Sequence, residues 1–215
     1  KLFRRLIGSK FFRKGNFLSI YSILKLIDER KYLRKNKDLF HFTFIEASQK
    51  TLQSKIYKKA HDVFCVALGN EVNKIKIGKL FHANKHETSQ GNSIYNNKGN
   101  IFINSFTTCM IVDAEDFALS YKKYLDNKYN DYKVIIRINC EGSEDDVIYG
   151  FHKIFDNNLV NIFGSLKDVK SVKGEKLFNK LLNYINENQL SFVNFSSSVE
   201  TWLESFSCIN DLLKK

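Results

Sequence analysis

The chain of 215 residues contains no proline, one methionine and one tryptophan, and its four cysteines, Cys65, Cys109, Cys140 and Cys208, stand far apart. Without a C-x-x-C pair there is neither a zinc-knuckle pattern nor a redox motif. Isolated thiols read as buried free cysteines and suit a reducing, intracellular compartment. No apolar run approaches the roughly 20 residues that a membrane-spanning helix needs, and the mean hydropathy is −0.32. A soluble protein is expected. Gly-Asn pairs stand at 69, 91 and 99, yet no G-x-G-x-x-G or Walker pattern occurs, so a nucleotide cradle of those kinds is not indicated. No internal repeat, low-complexity tract or interdomain linker breaks the chain. It opens with Lys1 instead of Met, which leaves room for a longer N-terminus.

What is present is an ample core-forming composition, 43% hydrophobic and 14% aromatic residues. The formal net charge of +11 is unevenly spread. Residues 1–86 hold 20 Lys/Arg against 6 Asp/Glu, or +14, and the remainder 14 against 17, or −3. Such asymmetry attracts polyanions, nucleic acid or an acidic surface. A solvated basic helical face accounts for the same count.

Apolar residues at helical spacing predict two helices before Asn36, broken near Gly15-Asn16, the first studded with Lys1, Arg4, Arg5, Lys10, Arg13 and Lys14. Leu39–Ile45 alternates like a strand, and Ser48 reads as the cap of a helix running through Lys59. His61–Leu68 reads as a buried strand ending at the Gly69-Asn70 turn, and residues 82–100 as a long polar loop. His82 and His86 stand four apart, a metal-ligand spacing only if that loop were a helix; no third ligand adjoins them, and no metal is expected.

From Gly99 onward a β-type run ends in Ser105, Thr107 and Thr108, and a helix carrying Ala114, Phe117 and Ala118 follows. Val134–Ile138 reads as a buried strand, after which the acids Glu144, Asp145 and Asp146 lead into Val147-Ile148. Phe151–Phe155 and Leu159–Phe163 read as two short strands or a hairpin. Residues 173–188 read as a helix, 190–195 as a strand, and Ser196 to Ser198 as the cap of a last helix with Trp202, Leu203, Phe206 and Ile209 facing inward.

Read together, residues 62–162 resemble the arginine-serine-glutamate class of mono-ADP-ribosyltransferases. Lys98–Thr108 looks like that family's Ser-Thr-Ser strand, Ala114-x-x-Phe117-Ala118 like its Ala-x-x-Phe-Ala helix, and Glu144-Asp145-Asp146 like its Glu-x-Glu loop. The resemblance implies an α+β fold: a basic helical N-terminal lobe (1–60), a split antiparallel β core of ADP-ribosyltransferase type (61–165), and C-terminal helices with one strand packed on it (166–215). It implies NAD as cofactor, with Asp146 as the catalytic carboxylate, Glu144 orienting the acceptor, and Ser105, Thr107, Thr108 and Phe117 holding NAD. The chemistry asks for a carboxylate against the oxocarbenium-like charge that develops when the nicotinamide-ribose bond breaks. The chain departs from the pattern at Val63-Phe64-Cys65-Val66-Ala67, where the family's arginine is missing, and at Asp146, one methylene shorter than glutamate. Weakened or lost transferase activity is the corresponding expectation.

A second resemblance competes. Val134–Asn139 followed by Glu141-Gly142-Ser143-Glu144-Asp145 looks like the opening of a Toprim domain, where carboxylates hold Mg²⁺ against phosphate, and Asp113 and Glu115 could supply its acidic pair. The order of the two acidic elements is reversed here. A non-enzymatic interaction domain with a solvated acidic loop is the third reading.

Overall fold

The computed structural model describes residues 20–55, 57–71, 73–83, 91–194 and 199–213. In chain order the elements are α1 (Ile20–Lys35), β1 (Thr43–Ile45), a short α2 (Gln49–Leu52), β2 (Asp62–Phe64), β3 (Ala67–Gly69), β4 (Ile75–His82) and β5 (Phe102–Asp113). There follow α3 (Ala114–Lys128), β6 (Val134–Ile138), α4 (Glu144–Phe155), β7 (Leu159–Gly164), α5 (Lys167–Lys173), α6 (Glu175–Glu187), β8 (Phe192–Asn194) and α7 (Val199–Leu213). Among the described residues this is a mixed α/β protein of seven α-helices and three small sheets. None of these helices is long and apolar enough to cross a membrane.

The chain forms two compact units. In the smaller, α1 packs on α7, and the Asn210 amide donates to the Glu29 carbonyl at 3.1 Å and to its carboxylate. The first expected helix, the Gly15-Asn16 break and the Ser196–Ser198 cap lie outside the described residues.

The larger unit, His41–Asn194, holds all three sheets. β6, β7 and β8 lie side by side and parallel, β1 pairs parallel with β2, and β5 is flanked by parallel β3 and antiparallel β4. A split antiparallel core is expected from the resemblance, whereas antiparallel pairing of named strands is confined here to β4 and β5. The connections explain the difference. Between β6 and β7 runs the 12-residue α4, and between β7 and β8 run α5 and α6. A helix of that length carries the chain back to the starting edge, so the next strand enters in the same direction.

One expected pair of strands is helix instead, and two other expected strands differ in extent. Val147, Ile148, Phe151 and Phe155 follow Glu144 at spacings that line one helical face, all four are buried, and the expected acidic loop with its trailing strands is the single helix α4. β5 continues past Ser105, Thr107 and Thr108 to Asp113, so the hydroxyls lie within the strand and not at its end. His61–Leu68 divides at Cys65-Val66, its first half pairing with β1 and its second with β5. Ser48 does cap a helix, accepting from Thr51 N–H at 3.1 Å, but α2 stops at Leu52.

One core of Ala118, Ile138, Ile148, Phe155, Ile162 and Leu181, among others, joins α3, α4, α6 and the parallel strands. α3 and α4 approach so closely that a Cβ at Gly150 would come within 2.7 Å of the Glu115 backbone nitrogen. Asp62 fastens the amino ends of β1 and β2 to α3, accepting from Tyr121 O–H at 2.8 Å and pairing with His41 Nε2 at 2.5 Å. Against its burial, those hydrogen bonds hold the Asp62 carboxyl below the usual carboxylate range.

Candidate functional site

Parallel strands direct their carboxyl ends toward one rim, and the loops that leave those ends are where such sheets carry ligands. After β6 the chain turns through Glu141 and Gly142, both left-handed with φ of 56° and 123°. A side chain at 142 would be strained by that conformation and would meet Val172 at 3.0 Å and Tyr95 at 3.1 Å. Glu144 closes the turn, its two carboxylate oxygens accepting from Cys140 N–H and Gly142 N–H, each at 2.9 Å. It is wholly buried, and burial pushes its carboxyl up while the backbone N–H groups pull it back. Glu144 therefore holds the turn together.

The next two acids are paired. Lys173, from the end of α5, donates to Asp145 at 2.6 Å and to Asp146 at 2.8 Å, and Tyr95 O–H reaches Asp146 at 3.2 Å. Burial alone would lower the Lys173 pKa; the charge of Asp146 and the hydrogen bonds to both aspartates overcome it and raise the value. Lys98, also buried, pairs with Glu141, donates to the Gly91 carbonyl at 3.1 Å and lies 3.9 Å from Asp168. The stretch 91–98 thus crosses the mouth of the β6–α4 turn. Ser93 Oγ, which donates to the Glu141 carbonyl at 2.7 Å, and the Asn97 amide, which donates to Val172 at 2.7 Å, secure it there.

At the end of β1, Glu46 Oε1 accepts from Ser48 N–H at 2.9 Å. The Ala47 N–H also acts on this carboxylate. Burial raises the Glu46 carboxyl, opposed by the backbone N–H groups of Ser48 and Ala47. Its charge in turn helps push up the half-buried thiol of Cys140 after β6, where burial and Glu144 act more strongly, and that of Cys65 after β2, where burial dominates. Glu46, after β1, is therefore within electrostatic reach of the thiols that follow β2 and β6.

No family model, curated protein or solved structure matches the chain. Its chemistry rests on the geometry.

Of the residues implicated by sequence, Glu144 and Asp146 stand together on α4, engaged as described. Ser105 and Thr107 converge elsewhere, on the buried His82, at 3.0 Å to Nδ1 and 3.4 Å to Nε2. Thr108 is exposed on β5, opposite Lys79. Phe117 belongs to the aromatic core, its ring 5.1 Å from Phe64, 5.8 Å from Tyr121 and 6.2 Å from Phe151. Asp113 caps α3 through Glu115 N–H and Asp116 N–H, both at 3.0 Å, and accepts from Glu71 N–H at 3.1 Å, a structural task. His86 lies outside the described residues, among which no group of three or more His, Cys, Asp and Glu could hold a metal ion. Sequence reasoning missed Glu46, Lys98, Tyr95 and Lys173. Only Glu46 carried a signal, an acid directly after an alternating apolar run.

Proposed function

We propose that residues 41–194 form the cofactor-binding part of a group-transferring enzyme, and that Glu46 receives the ribose hydroxyls of a nucleoside cofactor. One observation carries the reading. Glu46 stands at the carboxyl end of a parallel strand, its carboxylate held by Ser48 N–H with Ala47 N–H acting on it too, and within electrostatic reach of Cys140 after β6. An acid at such a strand end is the group that accepts from a ribose hydroxyl in dinucleotide-binding sheets. Parallel α/β sheets bind such ligands outside their carboxyl ends, which is where Glu46, Cys140 and Glu141 lie.

A ribose is common to NAD and to S-adenosylmethionine. NAD also brings a diphosphate, whose usual cradle is a glycine-rich turn at a helix N-terminus, and the sequence presents no such pattern. The sulfonium methyl donor needs none, so methyl transfer from S-adenosylmethionine is the reading these residues favour. ADP-ribosyl transfer from NAD, implied by the sequence resemblance, is the competing arm. The residues assigned to NAD fit it poorly: Asp146 is engaged by Lys173, Ser105 and Thr107 by His82, and Phe117 by the core.

Calorimetric titration of the full chain with each cofactor separates the arms. S-adenosylmethionine is expected to bind, and Glu46→Gln, which keeps an acceptor for Ser48 but replaces the other oxygen with an amide, to weaken binding about tenfold or more, roughly 1.4 kcal/mol per tenfold. Binding of NAD with loss of NAD turnover in Asp146→Ala would transfer the assignment to the other arm. Binding of neither, or no effect of Glu46→Gln, removes the reading.

For partners, the +14 excess within residues 1–86 supports a polyanion, with nucleic acid the prime case.

A further inference from the structure

The β4–β5 ribbon presents an apolar face. Cross-strand partners share a face, and the register sets Ile75 opposite Val112, Ile77 opposite Met110, Lys79 opposite Thr108 and Phe81 opposite Phe106. On that face Ile77 is 71% exposed and Ile75 55%, and Met110 and Phe106 are exposed as well. Phe102 (45% exposed) and Ile103 (62%) are consecutive on β5 beyond the register break and face opposite ways, so one of them extends the apolar surface at the far end of the ribbon. The opposite face is covered, with Leu80, Cys109 and Ile111 buried in a cluster with Ala67. The contrast matters because a one-sided sheet normally turns its polar side to water.

We infer that this face is where a second copy of the chain docks, two ribbons packing face to face about a two-fold axis near Ile77 and Met110. Area is the first argument. The five exposed side chains on this face offer about 500 Å² of apolar surface per copy, in the upper part of the range for the largest patch of an ordinary monomer. With apolar atoms making up about 60% of an interface, each copy contributes about 800 Å² and the pair about 1,600 Å², the middle of the standard range for a stable complex.

Charge is the second argument. At the Ile75 end of the ribbon, Glu71, Asp113 and Asp116 stand against Lys74 and Lys76, three carboxylates to two ammonium groups, with Lys76 on Glu71 at 2.5 Å and Lys74 on Asp116 at 3.2 Å. At the other end Lys79 lies 4.0 Å over the Phe106 ring. A two-fold axis between them sets the Lys79 of each copy over the acidic end of its partner. Lys79 stands between Ile77 and Phe81 on the edge strand β4, where its ammonium can reach past the ribbon while its stem covers apolar surface.

Sedimentation velocity of the full chain, from about 1 to 50 µM, a range that brackets micromolar dissociation constants, tests this. The expected species has twice the 25.1 kDa mass of the chain. Ile77→Glu is expected to weaken association about 30-fold or more, the effect of removing an interface hot spot, with the far-UV circular dichroism unchanged. Should that variant fail to fold, Met110→Lys on the neighbouring strand reads the same contact. A single-copy mass throughout the range, or a dimer indifferent to both substitutions, overturns the inference. So does a single-copy protein that co-floats with anionic vesicles and loses that property in Ile77→Glu, which would assign the face to a lipid surface.

Discussion

At the scale of single residues, the ion pairs beneath the β6–α4 turn govern the fate of the acids that sequence marks as reactive. Among the described residues Lys173 alone forms salt bridges with Asp145 and Asp146, and all three side chains are buried or nearly so. Removing one partner of a buried pair leaves uncompensated charge, so Lys173→Met is expected to destabilise the protein by about 3 to 5 kcal/mol in urea unfolding. The same residue sets an alkaline limit. Its folded-state pKa is raised above the ordinary lysine value of 10.5, because the two aspartates outweigh its burial. The stability it contributes is thus fully present below pH 10.5 and is lost as pH rises through the higher folded-state value. Unfolding free energy measured across that window should fall for the parent chain and run flatter for Lys173→Met. A flat parent profile would show that Lys173 is not held this way. None of this was legible in the sequence, where Lys173 is one of 34 basic residues and its partners lie 27 and 28 positions away. Ion pairs over that range have no periodicity to betray them.

At the scale of elements, α4 shows how far periodicity reaches. Residues 144–155 contain an acidic opening and a run of apolar residues, and a short apolar run after acids reads equally as a loop entering a strand. The spacing of the buried Val147, Ile148, Phe151 and Phe155 along one face decides for helix, and on that helix stands Gly150. It lets the α4 backbone approach the start of α3, where an added Cβ would stand 2.7 Å from Glu115 N and 2.9 Å from the Ala114 carbonyl carbon. The clash is with backbone, which cannot swing aside as a side chain would. Gly150→Ala is therefore expected to destabilise by about 1 to 3 kcal/mol, as overpacking does, even though alanine is the better helix former. A rise in the urea midpoint would mean that α3 and α4 are free to separate. The elements that were legible in sequence, α3, β6, α6 and β8, have clean periods and clear boundaries. β4, with its alternating Lys and Ile, carried the period of a strand, but its high charge masked it. The candidate site was the least legible part, because Glu46 comes within electrostatic reach of Cys65 and Cys140 only when the separate strands fold together.

At the scale of the whole molecule, charge and apolar pattern divide the tasks between different surfaces. The ribbon carries the exposed apolar side chains and pairs Lys74 and Lys76 with acids at its own end, while further positive charge lies elsewhere in the front of the chain. Lys50, Lys55 and Lys58 are exposed and within the larger unit, and no acid stands between residues 47 and 61. If this stretch meets a polyanion, binding to a nucleic acid must release counterions. Neutralising three phosphates of a duplex gives a log-log slope of about −2.7, and hence loses about 40-fold in affinity between 50 and 200 mM salt. Fluorescence anisotropy on a duplex and on a single strand measures that slope directly. Replacing Lys50, Lys55 and Lys58 by Gln is expected to flatten it, with cofactor titration at Glu46 unchanged, because the lysines act by charge and touch no strand end. A slope unaltered by the triple substitution would move the polyanion contact off this stretch. Binding without salt dependence would mean that the positive excess does not contact phosphate at all, and the front half would then be basic only for solubility.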